Sequence, residues 1–223
     1  MVAGSAIDAV VCDFGGVLTS PLAHSFRDVC ERSGIPLEAL GAALAAIGQR
    51  DGVQLLHELE CGRVCEADFF TAVADELAVA LDRDVVMHDF PARYFASLTP
   101  NEPMIELIAE LRGAGYRTAC LTNNVREWQP LWQAMAPIDE LFELVVDSAF
   151  VGMRKPDREI YELTVQRLDV PAERCLFIDD IAVNCAAARE IGMQAVLYRE
   201  HDQAIAEIRA ALGQLSEPSR SQR

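Results

Sequence analysis

Polar and acidic side chains follow four short apolar runs that lie far apart in the sequence. The runs end at Asp13, at Thr122–Asn123–Asn124, at Asp147 and at Asp179–Asp180. In an open parallel sheet, ligands bind beyond the carboxyl ends of the strands, so we expect these side chains to gather at one edge. Lys155 follows the third run closely enough to reach the same edge.

The acidic residues in this set indicate a metal site. Crowded carboxylates repel one another unless a cation joins them. A hard divalent cation with oxygen ligands suits Asp13, Asp180 and also Asp179, and Mg²⁺ is the usual ion where phosphate is bound. Such a cation would partly neutralise a phosphate dianion, which would allow a carboxylate to attack phosphorus.

The remaining polar residues suit phosphate binding. Lys155 would balance the remaining negative charge, and the Thr122 hydroxyl and the Asn123 amide would hold phosphate oxygens. Each residue also has a plainer interpretation: Asp147 as a turn residue, Lys155 as a solvated charge. Two adjacent carboxylates at a buried strand end, Asp179–Asp180, favour the functional interpretation.

Composition limits the class of protein. The chain has 223 residues, of which 51% are apolar, enough for one α/β domain with a smaller inserted one. The net charge of −16 argues against nucleic acid as a partner. No apolar run reaches the roughly 18 residues that span a bilayer, and the first nine residues lack the basic start of a secretory signal. We therefore expect a cytoplasmic protein without membrane contact, a monomer or a homodimer, with its seven cysteines as free thiols.

The order of elements predicts an α/β fold with a Rossmann-like parallel sheet. Predicted strands are Ala9–Cys12, Tyr116–Leu121, Leu144–Asp147, Cys175–Ile178 and Ala195–Tyr198. Predicted helices between the later strands are Pro103–Arg112, Trp128–Met135, Asp157–Leu168 and Ala182–Ile191. Strands that alternate with helices indicate a parallel sheet with helices on both faces.

Residues 20–97 interrupt this alternation, since they contain no convincing strand. The predicted helices there begin after Ser20–Pro21 and then cover Leu37–Ile47, Asp51–Leu59, Glu66–Leu81 and Asp84–Ser97. We interpret this segment as an inserted helical cap over the sheet. The prediction is thus a core of residues 1–19 and 98–213, a cap of residues 20–97 and a disordered tail of residues 214–223.

Four motifs resemble those of the haloacid dehalogenase-like (HAD) hydrolases, in the same order. They are Val10–Thr19, Cys120–Asn124, Gly152–Asp157 and Phe177–Asn184. Glu58–Arg63 also resembles the cap segment of the subfamily that includes the N-terminal phosphatase domain of epoxide hydrolases. The resemblance implies a magnesium-dependent phosphatase that acts on a small phosphorylated substrate.

The resemblance also implies roles for single residues. Asp13 would be the nucleophile and a metal ligand, with the Gly15 carbonyl and Asp180 as further ligands, Asp179 in or next to the coordination sphere, and Asn184 supporting it. Thr122, Asn123, Lys155 and the Gly15–Gly16 turn would hold the phosphate, with Lys155 and Thr122 taking part in catalysis. The cap, through Glu60 and Arg63, would select the substrate.

Gly15 departs from the family pattern. Most family phosphatases carry there a second aspartate that protonates the leaving oxygen, although some sugar-1-phosphate phosphatases resemble this chain in having glycine. General acid–base groups typically supply about 10²–10⁴-fold in rate. The gap therefore suggests substrates with good leaving groups, such as sugar-1-phosphates or acyl or aryl phosphates, or a substitute acid, for which His24 is a candidate.

Two other functions fit part of the pattern. A 2-haloacid dehalogenase would use Asp13 to attack carbon without metal and also lacks the acid at Gly15, but it would not explain Asp179–Asp180. A non-catalytic binding protein would retain the fold without turnover.

Overall fold

The computed structural model describes residues 6–87 and 89–213. The predicted tail of residues 214–223 lies outside the described residues. The described strands form one parallel sheet in the order β3-β2-β1-β4-β5. They are β1 (Ala9–Cys12), β2 (Arg117–Thr122), β3 (Leu144–Asp147), β4 (Cys175–Asp179) and β5 (Gln194–Leu197). The predicted parallel α/β sheet is confirmed.

The register of the central strands brings the predicted site residues to one edge. β1 lies between β2 and β4, with Cys12 opposite both Cys120 and Ile178. The backbone N–H of Asp13 donates to the carbonyl of Ile178 at 2.9 Å and so extends this pairing by one residue. The chain segments that follow the strands therefore leave the sheet at the same level.

Both faces of the sheet are buried, which explains why its strands are continuously apolar. Alternate residues of a strand point to opposite faces. Val10 and Cys12 pack in one cluster of buried side chains, and Ala9 and Val11 pack in another. Helices cover both clusters, as expected for a parallel sheet.

The described part of residues 20–97 contains five helices with their own apolar core. They are α1 (Leu22–Arg32), α2 (Leu37–Asp51), α3 (Leu55–Glu60), α4 (Glu66–Leu81) and α5 (Phe90–Ser97). Buried side chains such as Ile47, Val73 and Leu77 form a third cluster there. An antiparallel bridge joins Thr19 to Pro100, where the chain leaves and re-enters the sheet domain. The predicted domain boundaries stay a prediction.

The helices after the cap complete the sheet domain. They are α6 (Glu102–Gly113), α7 (Gln129–Gln133), α8 (Ile138–Leu141), α9 (Ser148–Val151), α10 (Arg158–Leu168), α11 (Ala182–Glu190) and α12 (His201–Ala211). None of the helices in the described part of the chain is both long and apolar enough to cross a bilayer.

Several predicted helix boundaries were wrong, for local reasons. The predicted helix Asp51–Leu59 is divided, because Gly52 takes a left-handed conformation (φ 73°) that ends α2. The predicted helix Asp84–Ser97 begins only at Phe90, where Pro91 occupies a first-turn position. In place of one helix over Trp128–Met135, a 3₁₀ turn leads into the shorter α7.

Candidate active site

Asp13 lies at the centre of the edge where the strands end. Its side chain is almost fully buried, with 6% of the residue exposed. Burial raises the pKa of Asp13; the positive charge of Lys155 opposes this effect, while Asp179 and Asp180 add to it, and the resulting value is about 7. A cation close to this buried carboxylate stabilises its ionised form.

Lys155 pairs with two of the site carboxylates. Its ammonium nitrogen Nζ lies 2.7 Å from Oδ1 of Asp13 and 2.7 Å from Oδ2 of Asp179, and only 1% of the residue is exposed. Burial alone would lower the pKa of Lys155, but the two carboxylates raise it well above its usual range. The lysine therefore carries a positive charge at neutral pH.

Asn123 holds the backbone of Lys155 in place. The Oδ1 atom of Asn123 accepts the Lys155 N–H at 2.8 Å, and its Nδ2 donates to the Lys155 carbonyl at 2.9 Å. The sequence predicted that this amide binds phosphate, but both of its polar atoms are used on the lysine. The Asn123 side chain thus positions Lys155, and its predicted contact with phosphate stays a prediction.

The carboxylate of Asp179 is surrounded by donors from the protein. Its Oδ1 accepts the N–H of Ile181 at 2.8 Å and Nδ2 of Asn184 at 3.0 Å. Its Oδ2 accepts Nζ of Lys155, and Asn184 is also 3.1 Å away. These contacts join Asp179 to Lys155 and to the start of α11, and the predicted support of a metal site by Asn184 stays a prediction.

Asp180 completes the acidic group. One carboxylate oxygen from each of Asp13, Asp179 and Asp180 lies within 4.8 Å of the other two. Burial and the charge of Asp179 raise the pKa of Asp180. None of the ion pairs among the described residues involves Asp180, so its charge is not neutralised within that part of the protein.

The Gly15–Gly16 turn lies directly against these carboxylates. Gly16 has a φ of 79°, and a Cβ atom there would overlap the carboxylate of Asp180. Only glycine fits both restrictions. The absence of a side chain at Gly16 thus allows the backbone of the turn to approach the carboxylate of Asp180 closely.

This group of residues suits a divalent cation. If Asp13, Asp179 and Asp180 are all ionised, Lys155 neutralises only one of three charges. Oxygen atoms with an excess of negative charge are the ligands that Mg²⁺ prefers in proteins. The residues that would hold the ion are Asp13, Asp180 and the Gly15 carbonyl, with Asp179 adjacent.

The ends of β2 and β3 provide one candidate site residue and one structural residue. Thr122 is buried at the end of β2 and lines the cavity between cap and sheet. Asp147 caps α9 by accepting the N–H of Ala149 at 3.0 Å. Burial raises its pKa to about 6, although that N–H and Trp132 oppose the shift. Asp147 is thus the structural residue that its alternative interpretation predicted.

The cap closes one side of the site through Glu60 and its neighbours. Glu60 lines the cavity and forms an ion pair with Arg154 of the sheet domain at 2.7 Å. Arg63 instead contacts Glu58 and the carbonyl of Gly152, away from the cavity wall. Both residues hold the cap against the segment that carries Lys155, and their part in substrate choice stays a prediction.

Two residues near the missing acid occupy different places. His24 is exposed on α1 and does not line the cavity, so it cannot reach the site from this position. Leu22 of the same helix lies over Gly15: a Cβ atom on Gly15 would be 2.7 Å from Cδ1 of Leu22. An apolar side chain therefore occupies the space beside the position of the absent acid. The sequence analysis did not single out Leu22. The signal that could have done so is its spacing of four residues from Phe26, which places both side chains on the same face of an amphipathic helix.

The geometry and the sequence motifs agree with a known family. The family model of the haloacid dehalogenase-like hydrolases matches residues 7–192. The chain belongs to this family. Its four motifs supply the residues that meet at the edge of the sheet, and the fold and resemblance predicted from the sequence are confirmed.

The alignments with individual relatives differ in how much of each protein they include. Bifunctional epoxide hydrolase 2 of Sus scrofa is 26% identical over 217 residues, which make up 93% of this chain and 39% of that protein. The chain therefore spans well under half the length of that relative. Phosphatase MT3486 of Mycobacterium tuberculosis is 32% identical over 201 residues, 86% of this chain and 87% of that one.

A solved structure shares the fold. The HAD family enzyme bt-2542 from Bacteroides thetaiotaomicron, in complex with magnesium and inorganic phosphate, aligns with a TM-score of 0.62 at 20% identity. The alignment covers 86% of this chain and 94% of that chain. At this identity the likeness concerns the fold alone.

Proposed function

We propose that this hydrolase is a magnesium-dependent phosphatase that acts on a small phosphorylated substrate, with Asp13 as the nucleophile. The observation that carries the proposal is the joining of Asp13, Asp179 and Asp180 around one buried lysine. A dehalogenase needs the nucleophile and the lysine but has no use for the excess of negative charge. The name of the mycobacterial relative and the ligands of the bt-2542 structure support the same assignment.

The reaction follows from the positions of the side chains. A carboxylate oxygen of Asp13 attacks phosphorus, the bond from phosphorus to the leaving oxygen breaks, and an aspartyl-phosphate forms. Water then attacks that phosphorus, which releases inorganic phosphate and restores Asp13. When bound, the magnesium ion lowers the repulsion between the phosphate and the carboxylate by withdrawing charge from the phosphate oxygens.

Lys155 and Thr122 act on the phosphoryl group during both steps. The ammonium of Lys155 already lies beside Asp13 and would stay close to the negative oxygens as they move past it. The Thr122 hydroxyl lies at the neighbouring strand end and would donate to another of these oxygens. Since Gly15 supplies no acid, the leaving oxygen must take its proton from water, which favours acyl and aryl phosphates over alkyl phosphates.

Phosphate release from an aryl phosphate tests the proposal directly. We expect release by the purified protein with Mg²⁺, its loss with a chelator, and its loss in the D13N variant. The D147N variant is a matched control, because Asp147 is a buried aspartate at another strand end. Chloride release from 2-chloropropionate that survives the chelator would establish a dehalogenase instead, and the absence of both reactions would favour a binding protein.

A further inference from the structure

The cavity between the cap and the sheet is enclosed by apolar side chains. Its volume is about 270 Å³. Leucine and aromatic residues form most of its wall, with Leu40 and Leu44 from α2, Phe69 and Phe70 from α4, and Trp128 from the sheet domain. A wall of this kind stabilises hydrocarbon and offers little to a hydrated ligand.

Several of the polar groups on the wall are already used by the protein. Glu60, the only residue with a full charge among the described residues that line the cavity, is paired with Arg154. The amide of Asn123 binds the Lys155 backbone, and Nε1 of Trp128 donates to Glu66 at 2.7 Å. The hydroxyls of Tyr94 and Thr122 also belong to the lining, but they are few compared with the hydroxyl groups of a sugar. A sugar would therefore lose more hydrogen bonds to water than it could replace here, which disfavours a sugar phosphate.

One end of the cavity opens onto the proposed phosphate site. Gly15, Thr122 and Asn123 belong both to its lining and to the loops that surround Asp13. A phosphorylated molecule with its phosphorus at Asp13 would therefore place its organic group in the cavity. An apolar cavity of roughly 150 Å³ accommodates benzene, so this one has space for about ten carbon atoms.

We propose that the substrate is a phosphate whose organic group is apolar and contains about ten carbons. This inference rests on the proposed phosphatase function and narrows the substrate class. The absence of an acid at Gly15 suggested sugar-1-phosphates, acyl phosphates and aryl phosphates as substrates. The apolar cavity favours hydrophobic aryl or acyl phosphates among these and disfavours sugar-1-phosphates.

A series of 4-alkylphenyl phosphates tests the apolar substrate class separately from the phosphatase function. Lengthening the alkyl group hardly changes the acidity of the phenol, so the chemical step stays constant while the apolar group grows. We expect kcat/KM to rise about fourfold per methylene until the cavity is full, and then to level off or fall. Phosphate release without any dependence on chain length would overturn the inference and leave the phosphatase proposal standing.

A binding measurement tests the cavity without turnover. The chain has two tryptophans, and both Trp128 and Trp132 line the cavity, so intrinsic fluorescence reports its occupation. With the D13N protein and Mg²⁺, we expect the Kd of alkylphosphonates to fall about 250-fold from butyl to octyl, about fourfold for each of the added methylenes. If this fall occurs without phosphate release by the wild type, the ligand class stands and the phosphatase proposal fails; an unchanged Kd overturns the ligand class.

Filling the cavity gives an independent check. Leu44 is half-buried on α2, and the L44W substitution would reduce the space on the cap side of the cavity. We expect the optimal alkyl chain to become shorter, with little change for phenyl phosphate. The control is L163W at a half-buried leucine of α10 that does not line the cavity. An equal change of the chain-length profile in both variants would contradict the assignment.

Discussion

Lys155 bridges Asp13 and Asp179, with its Nζ 2.7 Å from a carboxylate oxygen of each. The three side chains come from three separate chain segments at the edge of the sheet, with Asp179 as the last residue of β4. One cation is shared by two carboxylates, and the third carboxylate, Asp180, lies next to them. The lysine thus stabilises the fold of the site and also leaves enough negative charge for a divalent ion.

The K155M substitution is expected to destabilise the protein strongly. Removal of one partner from a buried ion pair leaves an uncompensated charge and typically costs about 3–5 kcal/mol. Urea unfolding without Mg²⁺ measures this loss. We expect the double variant K155M/D179N to lose less than the sum of the single losses, because the second change removes one of the unpaired charges. The control R158M removes an exposed pair with Glu162 and should change stability by under about 1 kcal/mol. Additive losses would show that the pair is not coupled.

Magnesium is expected to raise the free energy of unfolding. An ion at 100 times its Kd contributes about 2.7 kcal/mol when it binds only the folded state. In the D180N variant we expect this gain to disappear, while its stability without Mg²⁺ stays equal or rises, since one repelling charge is gone. The D169N variant, at an exposed aspartate, should retain the full gain. A D180N protein that Mg²⁺ stabilises as much as the wild type would place the ion elsewhere.

The N123A substitution is expected to lower kcat more than it raises KM. It removes two hydrogen bonds to the Lys155 backbone, each worth about 0.5–1.5 kcal/mol, and so loosens the lysine beside Asp13. N123D retains the acceptor and loses only the donor, so its effect should be intermediate. Steady-state kinetics with an aryl phosphate measure both constants. If N123D matched the wild type while N123A raised only KM, contact with the substrate would explain the data better than positioning.

The sequence predicted the fold and the meeting of the acidic residues because both depend on simple patterns. Buried parallel strands are rich in apolar residues, and among the described strands β1 to β4 each end at or directly before a polar residue, such as Asp13 or Asp179. Their carboxyl ends must meet at one edge of the sheet. The identity of the family then followed from four motifs in order.

The hydrogen-bond partners of the individual polar groups in the site could not be predicted from the sequence. Asn123 binds the backbone of Lys155, and the carboxylate of Asp179 accepts hydrogen bonds from groups of the protein. The path of the loop that carries Lys155 determines which of these polar groups come within hydrogen-bond distance of one another. The cavity was missed for a similar reason. Its wall combines apolar residues of the cap helices with Trp128 of the sheet domain, and helical periodicity does not show which apolar faces leave a space between them.

Stability is expected to depend on pH through Asp147. Its pKa is about 6 in the folded protein and near 3.8 in an exposed carboxyl, so the folded state binds more protons between these values. The stability that this proton contributes is complete below about pH 4 and is lost as the pH rises through 6, a change of at most about 3 kcal/mol. D147N can still accept the Ala149 N–H. We therefore expect its stability to gain on that of the wild type from pH 4.5 to 7.5, as measured by urea unfolding, with D169N as a control that shows no such trend.

An acid introduced at Gly15 is expected to extend the activity to alkyl phosphates. Gly15 does not have a positive φ, so aspartate fits the backbone there, whereas at Gly16 a side chain would overlap Asp180. The obstacle is Cδ1 of Leu22, 2.7 Å from the new Cβ, but Leu22 is 36% exposed and can rotate towards solvent. The added acid can then protonate the leaving oxygen. We expect kcat on an alkyl phosphate to rise on the order of tenfold to a hundredfold in G15D/L22A, within the range that general acids supply. Aryl phosphates need less protonation and should gain little. G15N/L22A has the same shape without the acid, so an equal gain in that variant would assign the effect to space and not to proton transfer.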